Sequence, residues 1–213
     1  MTNFKTIADG EIFSAAYEIN KSKFLAHVKH VDSEESARDF VLSIRKKYFD
    51  ATHNCSAWII GERGDKQKSN DDGEPGGTAG NPILEAIKKN ELTNCAIVVT
   101  RYFGGIKLGA GGLIRAYSHT AAQGIAASEV VQMTAFKKIS LTLEYNFLAT
   151  VENYLRNKKI RVTNTEYADV VTQEILLLPE QVENFLAELN ELTAANFLYE
   201  ETGDVLIPVK CEK

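Results

Sequence analysis

Cysteine is scarce in this chain of 213 residues. Cys55, Cys95 and Cys211 stand far apart with no CxxC pair, which excludes a disulfide framework and gives no spacing for a zinc cluster. Reduced, mostly buried thiols are expected. No apolar run approaches the roughly 18 residues that a membrane span requires. The opening MTNFKTIADGEIF lacks the basic start and apolar core of a secretory signal. A cytoplasmic protein without a membrane partner is therefore expected. Positive charge is not in excess either: 24 Lys+Arg stand against 29 Asp+Glu, a net charge of −5, which argues against a protein that coats nucleic acid over its whole surface. The imbalance is uneven. Residues 1–135 hold 16 basic and 16 acidic side chains, and residues 136–213 hold 8 and 13, so a local basic face remains open in the first part.

Glycine, by contrast, is concentrated. Most of the 14 glycines fall between Asp71 and Arg115, in DDGEPGGTAG (71–80), RYFGG (101–105) and KLGAGGLIRAY (107–117). Glycine permits positive φ and close approach of a ligand or backbone, at an entropic cost that a plain connector has no need to bear. A site is the natural reading.

The pattern along the chain predicts two domains of α+β class, 1–135 and 136–213. In the first, Glu11–Asn20 and Phe24–Val31 read as a hairpin joined through Asn20-Lys21-Ser22-Lys23. A helix follows with Asp32 and Glu35 as a capping box and Ala37, Phe40, Val41, Ile44 and Tyr48 on one face. His53–Gly61 reads as a central strand, Glu62–Asn70 as a loop or hairpin end, and Asn81-Pro82 as the N-cap and first residue of a short helix. Cys95–Thr100 is a continuous apolar run of the kind buried on both faces, and it leads through RYFGGIKLGAGG straight into a helix. From Lys137 the order becomes strand, helix, strand, strand, helix, strand, the ferredoxin-like βαββαβ arrangement.

A glycine-rich loop between a buried strand and a helix N-terminus leaves backbone N–H groups unpaired and a partial positive charge, which together favour anions. The candidate anion-binding residues are Arg101, Lys107, Gly109, Gly111, Gly112 and Arg115, the arginines because guanidinium suits bidentate recognition of phosphate. Arg115 in a first helical turn opposes the helix dipole, so either a bound anion or an acidic partner among Asp71, Asp72 and Glu74 is expected beside it. Those three acids have two readings: a second loop able to hold Mg²⁺, or a turn whose carboxylates satisfy backbone N–H groups. Tyr102 and Phe103 are candidates for base stacking or for covering the core. His53 and Cys55 face one side of a strand, as a structural pair or as a nucleophile with its base. KLGAGG matches neither a P-loop nor a dinucleotide fingerprint. No catalytic residue, metal site or cofactor is assigned.

Taken together, SKFLAHV, HNCSAWIIG, DDGEPGGTAGNPIL and VVTRYFGGIKLGAGGLIRAY closely resemble the IMPACT family, in particular its bacterial YigZ/YvyE group, over residues 15–125. The resemblance implies a first domain like the second domain of a small-subunit ribosomal protein, domain IV of elongation factor EF-G and the GHMP kinases. It implies a second domain like EF-G domain V. It points to work on the ribosome or RNA, in regulation of translation. Eukaryotic members act through a further N-terminal RWD domain, for which no counterpart is seen before Glu11, so their protein partner is not carried over. The expectation is a non-enzymatic factor binding RNA or a ribosomal component through the glycine loops. Two alternatives stand beside it: a Mg-dependent nucleotide- or phosphate-binding enzyme or switch of GHMP-kinase-like fold, and a protein-binding adaptor.

Overall fold

The computed structural model describes residues 2–211. The chain divides into two compact units, Thr2–Met133 with the segment from Pro208 onward, and Thr134–Ile207. Among the described residues no helix is long and apolar enough to cross a membrane.

The first unit contains β1 (Phe4–Ile7), β2 (Phe13–Ile19), β3 (Ser22–His30), α1 (Glu34–Lys47), β4 (His53–Ile60), β5 (Lys66–Asn70), α2 (Gly80–Lys89), β6 (Cys95–Tyr102), α3 (Gly109–Ala126) and the start of β7 (Val130–Leu143). Its main sheet has the order β2-β3-β6-β4-β5 with every neighbouring pair antiparallel. Side chains alternate across a strand. On β6, Ile97 and Val99 pack with Ile83, Ile87, Leu113 and Tyr117 of α2 and α3, whereas Ala96 and Val98 pack with Ala37, Phe40 and Ile44 of α1. A strand covered on both faces has no polar alternation to display, which explains the unbroken CAIVVT.

Local chemistry moves several expected boundaries. The hairpin turn is two residues, Asn20 and Lys21, both at positive φ (47° and 63°), the geometry whose twist matches paired strands. Ser22 and Lys23 are therefore already in β3. The capping box of α1 lies one residue later than expected: Ser33 Oγ accepts from Ser36 N, and Ser36 Oγ accepts from Ser33 N. Lys66–Asn70 is a strand, polar because it forms the exposed edge against β4. At the other edge of the unit, β1 pairs with Val130–Met133.

His27 on β3 is buried against Tyr48, its ring stacked at 4.8 Å, with Nδ1 3.2 Å from Ser14 Oγ. Burial, and then the Lys47 ammonium, lower its pKa to about 4. Between pH 6.5 and about 4 the unfolded chain takes up a proton at this position that the folded chain refuses, so stability falls as pH falls through that window. At pH 5 the loss relative to neutral pH is about 1–2 kcal/mol. Urea unfolding of His27→Asn at both pH values should show this component of the pH dependence removed. An unchanged dependence would disprove the assignment.

The second unit holds the rest of β7, then α4 (Tyr145–Asn157), β8 (Arg161–Tyr167), β9 (Val171–Leu177), α5 (Val182–Thr193) and β10 (Phe197–Lys210). β7 lies between β9 and β10, and β8 flanks β9. Ile139, Leu141, Leu143, Val151, Leu155, Ile175, Phe185 and Leu189 form its core. The fold is α+β, with the expected βαββαβ order.

Candidate phosphate-binding cleft

β6 delivers Arg101 to the same face as Ile97 and Val99, beneath the 71–80 loop. There it is 5% exposed. Its guanidinium lies between the rings of Phe24 and Phe103, at 5.3 and 5.4 Å from their centroids, and Nη1 donates to Glu74 Oε1 at 2.5 Å. The same carboxylate oxygen accepts from Tyr117 Oη at 2.8 Å. Nη2 is 3.5 Å from Ser22 Oγ, and the buried Nε has no hydrogen-bond partner among the described residues. Arg101 is thus first an internal brace, its charge matched by Glu74, and not the free phosphate ligand expected from sequence.

The acidic loop is organised by its own carboxylates. Asp71 Oδ1 accepts from Ala79 N (3.0 Å) and Gly80 N (2.8 Å), and Oδ2 accepts from Gly77 N (2.9 Å). This is the cap of α2, supplied from upstream in place of the expected Asn81. Burial by itself raises the Asp71 carboxyl, but the three N–H donors outweigh it and hold it below the ordinary range. Asp72 Oδ2 accepts from Asn54 N at 2.6 Å, and Oδ1 pairs with Arg45. Asp71, Asp72 and Glu74 therefore each serve a different partner. Among the described residues no group of three or more His, Cys, Asp or Glu is arranged to hold a metal ion.

His53 and Cys55 both point toward this loop from β4. The Cys55 thiol donates to Asp71 O at 2.9 Å and lies 3.3 Å from Tyr117 Oη. Burial is the main reason its pKa is pushed up to about 12, so it stays a thiol and is no nucleophile at neutral pH. His53 Nδ1 is 2.8 Å from Asp72 O. A carbonyl only accepts, so Nδ1 carries a proton, and in the neutral ring Nε2 is then an acceptor. It lies 3.9 Å from Glu74 Oε1, beyond hydrogen-bond length.

These groups border a cleft of about 380 Å³ whose lining includes His53, Glu74, Arg101, Phe103, Lys107 and Gly109. Its other wall is the start of α3. The N-cap of α3 is Leu108, with no side-chain cap and no acidic residue in the first turn, so the leading N–H groups at Gly109, Ala110 and Gly111 are not satisfied by a side chain. Lys107 and Gly111 are exposed, and Phe103 is 44% exposed. The cleft is lined by donors and positive charge as well as by acceptors.

The remaining expected residues lie apart. Tyr102 faces the opposite side of β6 and donates to Asp50 Oδ1 at 2.9 Å. Arg115, exposed on α3, borders a different depression with Gly112, Tyr17, Asn20 and His119. It forms no ion pair among the described residues, and the anticipated pairings with Asp72 and Glu74 are made by Arg45 and Arg101. Tyr117 and His53 gained roles that sequence did not assign. A signal was available: strand alternation from Val99 puts Arg101 on the core side, and Arg115 is off the Leu113–Tyr117 face of its helix.

The model of the Impact N-terminal domain matches residues 20–125, from the hairpin turn to the end of α3. A domain of unknown function, DUF1949, matches residues 141–196. "IMPACT family member YvyE" of Bacillus subtilis is 43% identical over 175 residues, 82% of this chain and 81% of that protein. The chain belongs to the IMPACT family. "IMPACT family member YigZ" of Escherichia coli is 35% identical over 178 residues, covering 83% of this chain and 87% of its own. The "Protein IMPACT homolog" of Dictyostelium discoideum is 44% identical over 94 residues, 42% of this chain and 26% of that protein. A crystal structure of a hypothetical protein superposes with a TM-score of 0.59 at 30% identity, over 95% of this chain and 98% of its own. The IMPACT region spans every residue named here as lining the cleft.

Proposed function

We propose that this IMPACT-family chain is a non-enzymatic, cytoplasmic regulator of translation that binds RNA, free or in the ribosome, through the cleft at the start of α3. One observation carries this reading: an uncapped helix N-terminus with no acid in its first turn opens on a cleft bordered by Lys107 and the exposed ring of Phe103. The N–H groups of the first turn and the Lys107 ammonium receive a backbone phosphate. Phe103 receives a base, its other side resting on the Arg101 guanidinium. Arg101, held by Glu74, keeps the cleft in shape.

Binding of a labelled single-stranded RNA, measured by anisotropy between 25 and 200 mM salt, tests the proposal. Lys107→Ala should reduce the magnitude of the log–log salt slope by about 0.7, the value for one phosphate contact on a single strand. Lys107→Glu should weaken binding about tenfold or more at low salt. Arg115→Glu, outside the cleft, should have the smaller effect. No binding or ribosome co-sedimentation by the wild type at low salt would refute it. A Mg-dependent nucleotide site is less well supported, because Asp71, Asp72 and Glu74 are each committed to protein partners.

A further inference from the structure

The cleft is also lined by acceptors that phosphate cannot satisfy. His53 Nε2 and the Glu74 carboxylate both border it, 3.9 Å apart, and neither is a donor in this arrangement. Both hydrogen bonds that Glu74 receives, from Arg101 and Tyr117, fall on Oε1, which leaves Oε2 without one among the described residues. The Asp72 carbonyl holds the proton on Nδ1, so the neutral ring presents Nε2 as an acceptor. The same cleft is bordered by two donors, the Lys107 ammonium and the first turn of α3. A single ligand that matches both sets of groups carries an anion and a hydroxyl or amine donor.

We propose that the cleft recognises ribonucleotides specifically, with the ribose 2′-hydroxyl donating to His53 Nε2 or the Glu74 carboxylate while the adjacent phosphate lies at the start of α3. The inference rests on the RNA-binding reading and adds the reason for choosing RNA over DNA. The 2′-hydroxyl is the group that distinguishes the two backbones, and a deoxyribose would leave these acceptors desolvated and unmatched. His53 is then a specificity-determining residue, positioned by the 71–80 loop through Asp72.

The test compares three labelled oligonucleotides of one sequence, as RNA, DNA and 2′-O-methyl RNA, binding to the full chain at low salt and neutral pH. RNA should bind at least tenfold more tightly than either of the others, since a 2′-O-methyl group keeps the oxygen but has no proton to donate. His53→Ala should bring RNA down to the DNA level and leave DNA affinity unchanged. His53→Gln, whose amide oxygen can still accept, should retain part of the preference. If RNA and DNA bind the wild type equally, the inference fails while the phosphate-binding reading survives. If neither binds, both fail. A preference that persists in a folded His53→Ala variant also overturns it, and should that variant not fold, the 2′-O-methyl comparison on wild type decides alone.

Discussion

Glu74→Ala is expected to cost about 3–5 kcal/mol of folding stability, the range for removing one partner of a buried ion pair. The cause is what remains. Arg101 would keep its charge between Phe24 and Phe103 with Nη1 facing no carboxylate, and Tyr117 Oη would lose its acceptor. Returning Arg101 to water would require β6 to shift at its end, because the residue is paired with Phe24 and His53 in the sheet. Glu74→Gln retains an acceptor but not the charge and should lie between wild type and Glu74→Ala. The double variant Glu74→Leu with Arg101→Met should recover most of the loss, since an apolar pair of similar volume avoids the desolvation penalty. Urea midpoints of the four proteins measure this. A Glu74→Ala midpoint close to wild type would show that the pair is not buried as described.

Gly104→Ala is expected to be at least as damaging, for a steric reason. A Cβ at this position would lie 2.0 Å from the Lys21 carbonyl carbon, 2.1 Å from its oxygen and 2.5 Å from Ser22 N. These are backbone atoms of the hairpin turn, held by the positive φ of Asn20 and Lys21, and no rotamer change relieves the overlap. The turn and the exit of β6 must separate, which also breaks the hydrogen bond from Gly104 N to Ser22 Oγ. A loss beyond about 4 kcal/mol, or failure to fold, is the expected outcome. Gly105 gives the control: it has φ +84° but open space around it, so Gly105→Ala should cost only about 1–2 kcal/mol of backbone strain. Equal midpoints for the two variants would contradict the close approach.

The contrast between these neighbouring glycines shows what a sequence conveys and what it withholds. RYFGG announces an irregular backbone, but nothing local says that the first glycine meets a turn some eighty residues earlier. The βαββαβ order was legible because one-sided burial imposes a period on strands and helices, and β6 because burial on both faces leaves an unbroken apolar run. β1 was not: Phe4–Ile7 is four residues long and is held by Val130–Met133, a partner far along the chain. β5 was hidden because an edge strand carries the polar residues of a loop, KQKSN. In the cleft, the residue types were readable and the pairing was not. Two arginines and three acids allow several combinations, and tertiary register alone assigned Glu74 to Arg101, Asp72 to Arg45 and Asp71 to backbone. That assignment moved the expected free charge from Arg101 to Lys107 and the helix end.

The central claim, that RNA is held at the start of α3, is tested most directly by titrating the isotope-labelled full chain with a short single-stranded RNA and following backbone amide resonances. Saturable shifts concentrated at Phe103, Lys107 and the amides of Gly109, Ala110 and Gly111, diminished in Lys107→Ala, are expected. Saturable shifts confined to residues 134–207, or none at all at low salt, would contradict it.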